Sequence, residues 1–382
     1  MNGAEHVQAM LRNRHPALEE VISGRRTAVL YPAARMARTA AARLISQGVH
    51  VIGFGDGNPA LWGTEIDGLP VWSPSVVVQG RDDSAVLIAS SIHDTEIHES
   101  LVEQGCSHVI PMPVLNYLLP DCFPCREYSG ALEAVTSPEN IAKINQVAQM
   151  LADETSRRVF DEKIRYLQTL EKQHLDGIRS SQSIYFDQEV VSLSPSEVVV
   201  DGGAYDGDTF GQFLIESGGH FKTYYAFEPD PGNFAKLQQR IGVDNDQVVV
   251  IPAGLADHTG HLAFECGASF DSHLASSSNA SSTTMTVQVH SLDDFFANLA
   301  LPSFIKLDVE GAEALALSGA KKIIETLSPT LALSVYHKPS DLWELPLFIH
   351  SLNPRYRLYL RHYTREIDDT VCYAVSPDRQ IS

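Results

Sequence analysis

The stretch Val198-Val199-Val200-Asp201-Gly202-Gly203-Ala204-Tyr205-Asp206-Gly207-Asp208-Thr209 decides the fold. A continuous valine run suits a strand buried on both faces. It closes on an acid, then a tight turn, then a helix beginning near Thr209. Gly202 and Gly203 permit positive φ and close approach of a ligand to the backbone. The glycines fall as Asp-x-Gly-x-x-x-Gly over 201, 203 and 207. That is neither the Gly-x-Gly-x-x-Gly of dinucleotide folds nor a P-loop ending in Gly-Lys-Ser/Thr. Asp201, Asp206 and Asp208 crowd the turn. A pyrophosphate wants amides and no nearby acids, so the charge pattern favours a ligand bearing an ammonium or sulfonium.

Seven strand candidates follow from Tyr185 onward: 197–201, 223–228, 247–252, 304–309, 330–336, 356–363 and 370–376. The first five are separated by crossovers long enough for helices, so they read as parallel. The last two are joined by the short polar turn Thr364 to Asp369 and must form an antiparallel hairpin. The second strand ends Tyr224-Tyr225-Ala226-Phe227-Glu228-Pro229, which places Glu228 25 residues after Gly203 at a neighbouring strand end. A carboxylate there can accept both hydroxyls of a ribose, and Pro229 stops the strand. An acidic glycine turn beside a ribose acid fits S-adenosylmethionine.

Several motifs in order carry a family resemblance. They are Val200 to Thr209, Ala226-Phe227-Glu228-Pro229, Ser291-Leu292-Asp293-Asp294, Phe304 to Glu313, Ser334-Val335-Tyr336-His337-Lys338 and Leu360-Arg361-His362-Tyr363. From about Tyr185 to Ser376, half the chain, the sequence resembles the FkbM-type methyltransferases, which are S-adenosylmethionine-dependent O-methyltransferases. The resemblance implies a seven-stranded Rossmann-like methyltransferase domain, five parallel strands plus an antiparallel C-terminal hairpin. It implies S-adenosylmethionine bound at the carboxyl ends of strands one to four. The cofactor-binding set expected is Asp201, Gly202, Gly203, Ala204, Tyr205, Asp208, Thr209, Glu228, Pro229, Gly254, Leu255 and Asp308.

In strand 304–309, Lys306 and Asp308 share a face by period two, and Glu310 follows just past the end. Charges in an otherwise apolar central strand are expensive unless paired or functional. One reading has Lys306 neutralising Asp308; another sends Asp308 and Glu310 into the crevice at the strand ends. Glu313 is expected to start the next helix, favoured by its dipole. His337, after the fifth strand, faces the same crevice and could take a proton from an acceptor hydroxyl. Asp308, His337 and Glu310 are therefore the catalytic candidates, Asp308 or His337 as base or acceptor-orienting group. A competing reading has these three ligating a divalent cation of Mg²⁺ type; the reading adopted has no metal. Methyl transfer from a sulfonium is an in-line displacement, in which positioning and desolvation do most of the catalysis.

Residues 267–286, rich in Ser, Thr and Asn, read as a lid or an exposed loop between the third and fourth strands. Asn279-Ala280-Ser281 matches a glycosylation acceptor by chance. Cys122-Phe123-Pro124-Cys125 has no second pair to make a zinc site and reads as incidental.

The N-terminal half shows its own β-α-β rhythm. Strands are expected at 27–31, 49–54, 85–89 and 108–110, with helices over 34–47 and near 94–105. The first helix should carry Ala37, Ala41, Leu44 and Ile45 on one side. Gly53-Phe54-Gly55-Asp56-Gly57-Asn58-Pro59 and Trp62 to Val71 are similar to small Rossmann-like domains of sugar-nucleotide and polysaccharide enzymes. The first turn, Tyr31-Pro32-Ala33-Ala34-Arg35-Met36-Ala37, lacks glycine, which argues against a dinucleotide. Arg35 and Arg38 could meet an acidic substrate group. The division expected is an N-terminal helical segment at 1–24, a small Rossmann-like α/β domain at 25–120, a helical connector at 121–184 and the methyltransferase domain at 185–382.

Composition sets the outer bounds. The chain has 382 residues, 44% hydrophobic and 20% charged, ordinary for globular protein. Its net charge is −20, which repels phosphate backbones and anionic membranes. No run of 18 apolar residues spans a membrane. The N-terminus lacks a signal-peptide pattern, and five Cys make no disulfide scaffold, so a cytoplasmic setting is expected. The expected function is O-methylation of a hydroxyl on a sugar-containing or secondary-metabolite acceptor. Partners are a small-molecule or glycan acceptor, with a homo-oligomer compatible with the sequence, and no nucleic acid or membrane. The alternatives are a non-catalytic S-adenosylmethionine-binding assembly or regulatory protein, and a nicotinamide-dependent sugar-nucleotide oxidoreductase.

Overall fold

The computed structural model describes residues 3–79, 83–241, 246–266, 273–274 and 283–379. The chain forms two compact units. The first comprises 1–141, 163–177 and 365–367; the second comprises 142–162, 178–364 and 368–382. The expected connector, 121–184, is thus divided between them, and the helix Glu154–Thr169 changes unit between residues 162 and 163.

The first unit holds a six-stranded sheet of β1 (Thr27–Tyr31), β2 (Val51–Gly55), β3 (Glu65–Ile66), β4 (Leu69–Trp72), β5 (Ser84–Ile88) and β6 (Val109–Ile110). Its order is β3-β4-β2-β1-β5-β6. All pairings are parallel except the β3–β4 hairpin. Unbroken apolar runs at Ala28 to Leu30 and Ala85 to Ile88 are buried, as a parallel sheet covered on both faces requires. The helix Arg35–Ser46 buries Ala37, Ala40, Ala41 and Leu44, spaced i, i+3, i+4 and i+7. Ile45, at i+8, lies at the edge of that stripe and is 48% exposed.

The second unit is built on seven strands: β7 (Val198–Gly202), β8 (Thr223–Phe227), β9 (Val248–Ile251), β14 (Phe304–Leu307), β15 (Thr330–Ser334), β16 (Arg357–His362) and β17 (Thr370–Val375). Their order is β16-β17-β15-β14-β7-β8-β9. β17 runs antiparallel to both β15 and β16; the other pairings are parallel. Successive strands are added outward on one side of β7 as β8 and β9 and then on its other side from β14, and this switch in winding opens a crevice at the strands' carboxyl ends. Against this sheet Phe210 and Phe213 meet Tyr224 at ring-centroid distances of 4.9 and 5.2 Å. That packing anchors the helix Asp208–Glu216 behind the glycine turn. Arg361 of β16 is buried and paired at 2.8 Å with Asp153, while Ser156 Oγ accepts from the Leu360 N–H at 2.9 Å.

Between β9 and β14 the chain adds a four-stranded sheet of β10 (Gly254–Leu255), β11 (Gly260–Cys266), β12 (His273–Leu274) and β13 (Thr283–His290), ordered β10-β13-β11-β12. The polar stretch expected as a loop or lid over 267–286 therefore gives way to strand at 273–274 and from 283. Thr286, Val287, Gln288 and Val289 alternate exposed and buried, as a strand with one solvated face requires. The rest of that stretch, including Asn279-Ala280-Ser281, lies outside the described residues. No helix among the described residues is long and apolar enough to cross a membrane.

Candidate active site

The glycine turn is tied to the end of β8. The N–H groups of Gly203 and Ala204 both donate to Phe227 O at 3.0 Å. Gly203 has φ +78°, and a Cβ there would lie 1.8 Å from the Asp308 carbonyl oxygen. Only glycine allows the two strand ends to approach so closely. Tyr205 also sits in the left-handed region, at φ +47°.

Glu228 follows β8 and is held from two sides. Its Oε2 accepts the Tyr205 N–H at 2.9 Å and its Oε1 accepts the Asp230 N–H at 2.8 Å. Burial pushes its carboxyl up to about 7, despite those two N–H donors. Each oxygen has a second lone pair for a ligand hydroxyl. Pro229 and Gly254 are neighbours: a Cβ on Gly254 would lie 3.7 Å from Pro229 Cγ. Leu255 is buried, its Cδ1 directly against Gly202. The structure thus brings 202–205, Glu228, Pro229, Gly254 and Leu255 together at adjacent strand ends.

The acids of the turn behave differently from the sequence expectation. Asp201 is fully buried, and its charge is answered by Lys306 Nζ at 2.9 Å and the Tyr224 hydroxyl at 2.7 Å. β7 and β14 pair in the register Lys306 to Asp201, and Lys306 forms its close ion pair with Asp201 rather than with Asp308. Lys306 also donates to Gly203 O at 2.7 Å, so it braces the turn from below. Asp206 pairs with Arg240. Asp208 opens the helix Asp208–Glu216 and accepts the Thr209 N–H at 2.8 Å.

Asp308, Glu310 and His337 do converge. The His337 ring is buried, with Nε2 3.3 Å from Asp308 Oδ1 and 3.6 Å from Glu310 Oε2. Its Nδ1 lies 3.0 Å from Glu313 Oε1. Glu313 begins its helix as expected, but its carboxylate turns back to accept the N–H groups of Val309 and Gly311 at 3.0 and 3.2 Å. Burial alone would lower the His337 pKa; the carboxylates of Glu313, Asp308 and Glu310 outweigh it and push the ring up to about 10. The three carboxylates thus favour the protonated form of the ring. Asp308 accepts the Tyr185 hydroxyl at 2.8 Å and the Tyr336 hydroxyl at 3.4 Å. Although burial opposes it, His337, Lys306 and Tyr185 hold its carboxyl below the usual range.

Tyr185, Tyr336 and the Glu313 carboxylate were not singled out as site residues by sequence reasoning. Tyr336 could have been found from its place beside His337; Tyr185 carries no local signal. One ligand atom each from Asp308, Glu313 and His337 lies within 4.8 Å of the others. In that cluster Glu313, not Glu310, stands beside Asp308 and His337 as the third possible donor to a cation. In the first unit, Asp56 accepts the N–H groups of Ala33 and Asn58 at 2.9 and 2.7 Å. An acid thus holds the turn where a pyrophosphate would sit. Cys122 and Cys125 are buried free thiols.

Residues 201–367 match the family described as the Methyltransferase FkbM domain. This segment is an FkbM methyltransferase domain. It takes in Glu228, Lys306, Asp308, Glu310, Glu313 and His337, and leaves out Tyr185. The crystal structure of Methyltransferase FkbM from Methylobacillus flagellatus KT is similar over 97% of this chain and 99% of its own, at 22% identity and a TM-score of 0.73. That likeness extends the shared fold beyond the FkbM domain to nearly the whole chain. A putative rRNA-methylase from Clostridium thermocellum and an rRNA methylase from Streptococcus thermophilus align over 49% and 50% of the chain. Each covers 90% of its own chain, at 10% and 16% identity, and both have TM-scores of 0.31, too low to bear on function. No curated protein matches the chain.

Proposed function

We propose that the chain transfers a methyl group from S-adenosylmethionine to a hydroxyl oxygen of a sugar-containing or secondary-metabolite acceptor. The observation that carries this reading is Glu228. It is a carboxylate pinned by two backbone N–H groups beside a glycine turn, at the end of the strand next to β7. Such a group suits the paired hydroxyls of a ribose. Residues 203–205, Pro229 and Gly254 would line the rest of the nucleoside site. When bound, S-adenosylmethionine supplies a methyl already activated on a sulfonium. Asp308 and Glu310, with side chains 23% and 32% exposed, put negative charge at the mouth of the crevice. That charge favours a sulfonium, and Asp308 accepts a hydrogen bond from the acceptor hydroxyl to orient its oxygen in line.

Calorimetry on the full chain tests the cofactor. S-adenosylhomocysteine should bind; no heat with it or with S-adenosylmethionine would end this reading. Glu228→Ala should weaken that binding by about 1–3 kcal/mol, from lost charge-assisted hydrogen bonds. Affinity should rise with pH through about 7 as Glu228 ionises, because the charged carboxylate is the stronger acceptor. In Glu228→Gln the profile should be flat. Labelled methyl offered with a mixed glycan and metabolite extract separates an enzyme from a binding protein: transfer into any acceptor supports catalysis.

A further inference from the structure

Asp308 reaches the crevice with one of its oxygens claimed from behind. Tyr185 donates its hydroxyl hydrogen to Asp308 Oδ2 at 2.8 Å, an ordinary O–H···O length. The Tyr185 oxygen also lies 3.2 Å from Oγ of Ser334, buried at the end of β15. A phenol has one hydrogen to give, an ionised carboxylate only accepts, and a serine hydroxyl does either. The phenol hydrogen therefore goes to Asp308, and Ser334 donates to the phenol. The ring itself has little freedom. It is buried in the apolar core with Val371 and Tyr373, and the Lys306 ammonium lies 5.1 Å from its centroid, a cation–π distance. Its backbone sits in the left-handed region at φ +66°, which a bulky side chain rarely adopts. Strain of that kind persists where the surroundings over-determine a residue, and it clusters at working sites. Tyr336 reaches the other Asp308 oxygen at 3.4 Å, too long to replace the Tyr185 bond.

We infer that Tyr185, which stands before residue 201 where the FkbM match begins, is a positioning residue for methyl transfer. It fixes the plane of the Asp308 carboxylate, so that an acceptor hydroxyl bonded to that carboxylate presents its oxygen in line with the methyl–sulfur bond. The acceptor part rests on the methyl-transfer reading; the hold of Tyr185 on Asp308 does not. In the transfer a C–O bond forms as the C–S bond breaks. The sulfonium leaves as a neutral thioether, and the hydroxyl proton passes along its hydrogen bond to Asp308. A carboxylate free to turn would let the attacking oxygen drift off that line.

Two double-mutant cycles on the full chain test this, each built from Tyr185→Phe, Asp308→Ala and their combination. Phe keeps the ring and its packing and removes only the hydroxyl. In the first cycle, labelled methyl is offered with the mixed glycan and metabolite extract at increasing S-adenosylmethionine. Tyr185→Phe should lower the maximal rate by about ten- to hundredfold, the worth of a hydrogen bond to a charged group. The apparent KM for S-adenosylmethionine and the S-adenosylhomocysteine affinity should hold. In the Asp308→Ala background, Tyr185→Phe should cost no further rate, because it acts through that carboxylate. Tyr336→Phe, with its longer contact, should cost less than Tyr185→Phe. Full transfer by Tyr185→Phe overturns the inference. So does an equal further loss in the Asp308→Ala background, or a loss that appears in cofactor affinity instead of rate. The second cycle is urea denaturation, which needs no cofactor. Midpoint losses that are less than additive support the hold of Tyr185 on Asp308, and additive losses overturn it. Failure of S-adenosylhomocysteine to bind the unaltered chain would count against the cofactor reading instead, and the urea cycle would still decide the contact.

Discussion

Lys306→Met should destabilise the second unit by about 3–5 kcal/mol, the usual cost of stripping one partner from a buried ion pair. The Lys306 ammonium is buried, 2.9 Å from Asp201 Oδ1, and also satisfies the carbonyl of Gly203. Met keeps the length of the stem, so the loss reports charge and hydrogen bonding more than a cavity. Asp201 would be left buried with only the Tyr224 hydroxyl for company. Adding Asp201→Asn to Lys306→Met should recover a large part of the loss, because removing both charges leaves no orphan. Urea denaturation of the two single variants and the double variant checks this. Independent, additive losses would show that the pair is not coupled.

Gly203→Ala should be nearly as damaging and should reach the site directly. A new methyl would meet the Asp308 carbonyl oxygen at 1.8 Å and its carbon at 2.9 Å, and both are backbone atoms. The left-handed φ of +78° adds about 1–2 kcal/mol for any residue with a Cβ. Forcing the strand ends apart adds about 1–3 kcal/mol. Gly207→Ala offers the contrast. Its φ is also left-handed, but the nearest atoms, 3.1 and 3.3 Å away, are side-chain carbons of Leu237 and Arg240 and not backbone. Thermal melts should therefore rank Gly203→Ala well below Gly207→Ala. Equal melting points would mean that the strand ends separate without cost.

What the sequence made legible were features written locally. The valine run, the glycine turn, Glu228 at its strand end and the C-terminal hairpin all follow from neighbours within a few residues, and the sheet reproduces them. What it hid depends on register between distant strands. Lys306 and Asp308 share a face of one strand, yet Lys306 lies beside Asp201 of the adjacent strand and pairs with it. Tyr185 precedes Asp308 by 123 residues and meets it only through the fold. His337 reads as a crevice residue, but its approach to Glu313 is hidden, because a place at a helix start already explains that acid locally. The side sheet was concealed by composition: Thr286 to Val289 alternate as a strand does, at the end of a run of Ser and Thr that reads as loop.

The interleaving of the two units limits how the gene can be divided. Residues 142–162 belong with the catalytic fold, although they precede its first strand by some distance, and 365–367 belong with the other unit. A fragment starting at Tyr185 would omit Asp153 and Ser156 and leave Arg361, as an ion pair, only its longer 4.0 Å approach to Asp187. Swapping halves with a relative at one junction would remove the same short contacts, whereas carrying 142–162 along with the transplanted portion would preserve them.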